Sequence, residues 1–149
     1  MKNKTGKTGL AAAILSIVLL FGAAVFVHSS QTDDILIIAN KDVPVSSLTA
    51  EELKSIFLGE KVKWDDTHSI TFVLLLTDIH EDFLKKYLGV NSTQYGQYWK
   101  KMIFTGRAKS PKAFNKAEEL SDYIANTGGA VGYVPSKALN DKVKTISVK

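Results

Sequence analysis

The chain has 149 residues, 19 basic and 15 acidic side chains, a formal charge of +4 and no cysteine. Without cysteine there is no disulfide, no thiolate zinc site and no lipid-modified amino terminus, so burial and backbone hydrogen bonding must hold the fold. Lys2, Lys4 and Lys7 account for most of the excess charge, and the near-neutral remainder excludes the clustered basic footprint of a nucleic-acid binder.

Those three lysines precede an uncharged apolar run from Leu10 to Val27, which is followed by His28-Ser29-Ser30-Gln31. A basic front, an apolar middle and a polar exit describe a secretory leader, although the run exceeds the usual ~7 to 15 apolar residues. It approaches the ~20 residues that span a bilayer, so cleavage and retention as an anchor both stay open. Residues 1–29 are therefore expected to be a signal peptide or an N-terminal membrane anchor, with the apolar run helical. The lysines hold the amino end in the cytoplasm and send the rest outward, to the periplasm or cell envelope. Residues 30–149 suffice for one core but not for two separate ones.

Along that domain, Ile35 to Ala39 is a short β-branched apolar run that predicts a buried strand. Thr49-Ala50-Glu51-Glu52 has the form of a capping box, with Leu48 and Leu53 placed as a staple, and predicts a helix from Ala50 to Phe57 that stops near Gly59. Trp64-Asp65-Asp66 reads as a turn. Ser69 to Leu76 is almost continuously apolar, as expected of a strand covered on both faces. Asp78-Ile79-His80-Glu81 offers another capping pattern, ahead of Phe83, Leu84, Tyr87 and Leu88 at helical spacing and Gly89 as the stop. Asn91 to Gln94 caps a helix ending near Phe104, and Asn115 to Glu118 caps one through Leu120, Tyr123 and Ile124. Gly128-Gly129 then admits a strand from Ala130 to Val134, and Val143, Ile146 and Val148 suggest a last one. Strands alternating with helices predict an α/β layer fold with a mixed or largely parallel sheet.

Few residues carry recognisable chemistry. Thr5-Gly6-Lys7-Thr8 resembles the end of a phosphate loop but lacks its first glycine and its preceding strand. His28, His68 and His80 have no spacing that puts two imidazoles on one helical face, and no nucleophile elbow occurs, so no metal, cofactor or catalytic role is expected. The lysine pairs at 61 and 63, 85 and 86, and 100 and 101 read as solvated faces. Trp64, Trp99, Phe104 and Tyr133 read first as core, and Arg107 as an exposed loop residue.

The ordered set Phe57-Leu58-Gly59, Trp64-Asp65-Asp66, Phe83, Trp99, Phe104-Thr105-Gly106 and Gly129-Ala130-Val131-Gly132-Tyr133 resembles short substrate-binding proteins of phosphate ABC transporters, from about Ile35 to Val134. The resemblance implies a single periplasmic-binding-protein-like lobe, binding rather than catalysis, and phosphate or another small oxyanion as ligand. It also implies an envelope or transporter membrane protein as partner; it leaves the oligomeric state open. Aligning the family's downstream phenylalanine on Phe83 puts Thr77 at a serine-like ligand position and His80 near an arginine position. Thr77, Asp78 and His80 are thus the candidate ligand contacts. Asp78 stands where glycine or proline is expected, and as a strong helix cap it competes for the amides an anion would use. The alternative is a ligand-free interaction module on the same scaffold.

Overall fold

The computed structural model describes residues 33–149; the expected leader lies outside them. No helix among the described residues is long and apolar enough to cross a membrane. Six strands, β1 (Ile35–Ala39), β2 (Ser47–Leu48), β3 (Thr71–Leu75), β4 (Lys112–Phe114), β5 (Ala130–Pro135) and β6 (Lys144–Val148), form one sheet in the order β2-β6-β1-β5-β3-β4. The sheet is mixed. β1 runs antiparallel to both β5 and β6, with Ile37 opposite Tyr133 on one side and Ile146 on the other. The pairs β2–β6, β3–β5 and β3–β4 are parallel.

Helices α1 (Ala50–Phe57), α2 (Ile79–Phe83), α3 (Ser92–Phe104) and α4 (Ala117–Ala125) connect the strands; α2 runs directly into a π-helical turn, Leu84–Leu88. Successive β5 residues show how both sheet faces are covered. Gly132 faces α4, where an added Cβ would lie 2.9 Å from Ile124 and 3.1 Å from the β3 residue Val73. Tyr133 points the other way, as strand alternation requires. Its ring stacks on Phe83 of α2 at 3.7 Å and lies 5.8 Å from Phe57 of α1. All three rings are fully buried. This two-sided cover explains the unbroken burial of Val73, Leu74 and Leu75 in β3.

Two expected caps form as reciprocal boxes. Thr49 Oγ1 accepts from the Glu52 amide at 3.1 Å, and Glu52 accepts from the Thr49 amide at 3.0 Å. Asn91 and Gln94 repeat the exchange at 2.8 and 3.0 Å, and Gly89 closes the preceding turn with φ of 72°. Leu48 and Leu53 are both buried, as a staple needs.

Several expectations are corrected. Asn115 does not cap α4: the first helical carbonyl is that of Lys116, which accepts from Leu120 at 3.1 Å, so Asn115 sits one residue too early. Asp78 and Glu81 make no reciprocal box, because Glu81 turns instead to the Ser92 amide at 2.9 Å and to the Ser92 hydroxyl. Trp64, Trp99 and Tyr133 are buried as expected, but Phe104 is 89% exposed. The helical period explains it: Tyr95 and Trp99 define the inner face of α3, and Phe104 falls opposite.

Candidate functional site

Thr77, Asp78 and His80 lie together at the junction of β3 and α2, delivered by the end of the buried Leu74-Leu75 run. The Asp78 carboxylate accepts from the Ile79 amide at 3.1 Å. The His80 amide donates to the Thr77 carbonyl at 3.0 Å. Two of the amides that an anion would need are therefore already engaged by the chain. The Thr77 hydroxyl forms no hydrogen bond among the described residues, while Asp78 is engaged through Oδ1 and His80 through Nδ1.

His80 is half-buried. Its Nδ1 shares a 2.5 Å hydrogen bond with the Tyr133 hydroxyl, which is also 3.3 Å from the Leu75 carbonyl. Burial lowers the imidazole pKa from its usual value, with the nearby Glu81 charge only partly offsetting this. Burial likewise pushes the Tyr133 phenol upward. The pair is thus a neutral imidazole and a neutral phenol at neutral pH, and His80 brings no cation to an oxyanion. The arginine-like role that the alignment gives His80 has no electrostatic support here.

Charge around the junction points the same way. A cleft of about 420 Å³ beside α2 is lined by Asp33, Asp34, Asp82, Ile35, Lys85 and Lys86. Its Lys85 is held by Glu81 at 3.2 Å. Glu81 is itself held down to about 2, by the Ser92 hydroxyl first, then the Ser92 amide and Lys85. Lys137 bonds Asp33, which raises its pKa above the usual value, and Asp78 adds to the rise. Asp78 is therefore within electrostatic reach of Lys137, whose charge is already committed to Asp33.

The sequence located the junction but missed Tyr133 as the partner of His80. The two are 53 residues apart, and no spacing rule links the tip of a strand side chain to the first turn of a remote helix. Arg107 is exposed, as expected, at the end of α3 and away from this junction in the chain.

The strand order and the cover on both faces define a mixed α/β, single-sheet fold. Solved structures similar to it include phosphate-transport binding proteins. PstS from Borrelia burgdorferi matches with a TM-score of 0.61 at 15% identity, over 78% of this chain and 47% of that one. A putative phosphate ABC transporter substrate-binding protein with bound phosphate, from Clostridium perfringens, matches at 0.59 and 19% identity over 78% and 45%. An ABC-type phosphate transport receptor from Vibrio cholerae matches at 0.52 and 20% identity over 78% and 46%. The chain thus spans less than half the length of each. No family profile and no curated protein matches the sequence.

Proposed function

We propose that the chain is an extracytoplasmic solute-binding-protein-like domain of the phosphate-transport kind, with a self-capped oxyanion site at the start of α2. Its class is binding rather than catalysis, and its ligand class is a small oxyanion such as phosphate. One observation carries the reading: a carboxylate, itself an oxyanion, occupies the Ile79 amide at the place where a helix start would receive a ligand. Phosphate reaches that amide and the Thr77 hydroxyl only when Asp78 swings off. The Asp78 charge opposes the exchange, so binding to the wild-type domain is weak.

A second reading is favoured by that same capping, together with the neutral His80 and the acidic cleft wall. In it the scaffold has lost ligand binding and serves as an envelope interaction module, its partner a membrane protein. Phosphate titration calorimetry on residues 30–149 separates the two. Asp78→Gly, which costs a helix start only a few tenths of a kcal/mol, frees the amide and removes the repelling charge. Removing a competing charged hydrogen bond of ~1.5–3 kcal/mol should tighten phosphate binding roughly 10- to 100-fold. Thr77→Val in the Asp78→Gly background should reverse most of that gain. No heat from Asp78→Gly at millimolar phosphate rejects the oxyanion site and leaves the module.

A further inference from the structure

No acidic residue occurs between Asp82 and Glu118, yet that stretch holds Arg107 and seven lysines. Four of these cations are engaged locally. Lys85 pairs with Glu81 and Lys116 with Glu119, while Lys86 lies over the Tyr87 ring and Lys112 lies 4.2 Å over that of Tyr123. The other four are Lys100, Lys101, Arg107 and Lys109. Among the described residues none of them has a carboxylate within salt-bridge distance. All four are exposed, and all belong to the end of α3 and the loop that folds back on it.

The fold-back is explicit. The Arg107 and Ala108 amides both donate to the Met102 carbonyl, at 2.9 and 3.3 Å, so the loop turns beside the last helical turn. Phe104 lies one turn beyond Lys100 and Lys101, on the face of α3 opposite Trp99, since residues three and four apart share a face. It is 89% exposed, and its neighbour Ile103 is 43% exposed. An aromatic side chain left in water costs free energy that burial would recover. Unpaired cations surrounding an apolar protrusion match the two demands of an anionic bilayer surface, whose headgroups take the charges while the acyl boundary takes the ring.

We propose that the end of α3 docks on an anionic phospholipid surface, with Phe104 inserting and Lys100, Lys101, Arg107 and Lys109 seating on lipid phosphates. This surface shares no residue with the α2 site, and the contact needs no solute. An apolar amino-terminal run such as Leu10 to Val27, where it is retained, would keep the domain close enough to a bilayer for a weak contact to count.

The test uses the full chain, whose lack of cysteine makes Ser110→Cys a unique labelling site. An environment-sensitive fluorophore there leaves Phe104 and all four cations in place. The labelled protein is reconstituted in vesicles of phosphatidylcholine alone, or with phosphatidylglycerol added. With phosphatidylglycerol the emission should shift to the blue and be quenched by spin-labelled lipid, and high salt should reverse both effects. Each lysine near such a surface contributes roughly a 5-fold preference, so Lys100→Ala with Lys101→Ala should lower the docked-to-free ratio roughly 30-fold. Phe104→Ala should lower it too, while leaving the salt dependence. These positions are exposed, so the core is untouched. Identical emission in the two vesicle types, as for a surface meant for an acidic protein, would overturn the proposal. So would a shift indifferent to the double substitution.

Discussion

Gly129 offers the sharpest check on how the two halves of the sheet are joined. Its φ is +69°, and a Cβ built there would lie 2.0 Å from the Ser69 carbonyl oxygen, a backbone atom that cannot rotate away. Three hydrogen bonds meet at this residue. Its carbonyl accepts from Trp64 Nε1 at 2.9 Å and from the Thr71 amide at 3.2 Å, and its amide donates to Asp42 at 3.0 Å. Gly129→Ala must therefore push the entry of β3 away from the turn before β5. The left-handed backbone alone costs alanine ~1–2 kcal/mol. Losing two of the three bonds adds ~1 kcal/mol each, for a total of about 3–4 kcal/mol. Gly106→Ala is the control, because φ there is +66° but nothing lies within 4 Å of the added atom. It should cost only the ~1–2 kcal/mol backbone penalty. Urea unfolding of residues 30–149 measures both, and the midpoint of Gly129→Ala should fall at least twice as far. Equal losses would refute the close approach of Ser69 and Gly129, and with it this account of the junction.

Three further outcomes follow from the site and its helices. The folded state holds the His80 pKa below its unfolded value, so the stability from neutral His80 is complete above ~6.5 and is lost as pH falls through the folded pKa. Unfolding free energy should decline as pH falls below ~6.5, and His80→Gln should flatten that slope; an unchanged slope would place the titrating group elsewhere. Tyr133→Phe leaves His80 Nδ1 without its partner and should cost ~1–2 kcal/mol in urea unfolding, less in a His80→Gln background; full additivity would mean the two groups do not interact. Thr49→Ala and Asn91→Ala each remove one half of a capping box and should each lower stability by ~1 kcal/mol, read as shifts of the thermal midpoint, while an unshifted midpoint in either would show that its box is not formed.

The helices with reciprocal caps were legible to the residue, because the box sets donor and acceptor only three positions apart. α1 begins at Ala50 after Thr49, and α3 at Ser92 after Asn91. The long apolar strands were legible for a similar reason, since β1 and β3 are runs that only a covered sheet can hold. β2 and β4 were not. Two residues in a serine- and proline-rich stretch, and three at a sheet edge of which only Phe114 packs inward, are too short to show alternation, and each is a strand only through its parallel neighbour. The same limit applies to the site. Asp78 was readable as a cap, because the interaction is local. The tie between His80 and Tyr133, and the exposure of Phe104, depend on which way distant elements face.

The position of β1 sets the order of events in folding. It is the first strand among the described residues, yet its neighbours in the sheet are β5 and β6, with Ile35 opposite Pro135 and Ile37 opposite Ile146. Closing so long a loop is slow and must precede any gain from the contacts it creates. The nascent polypeptide consequently has no middle to its sheet until its final segment appears. Until β5 and β6 have been made, the Ile35 to Ala39 segment is an apolar strand with both of its edges open.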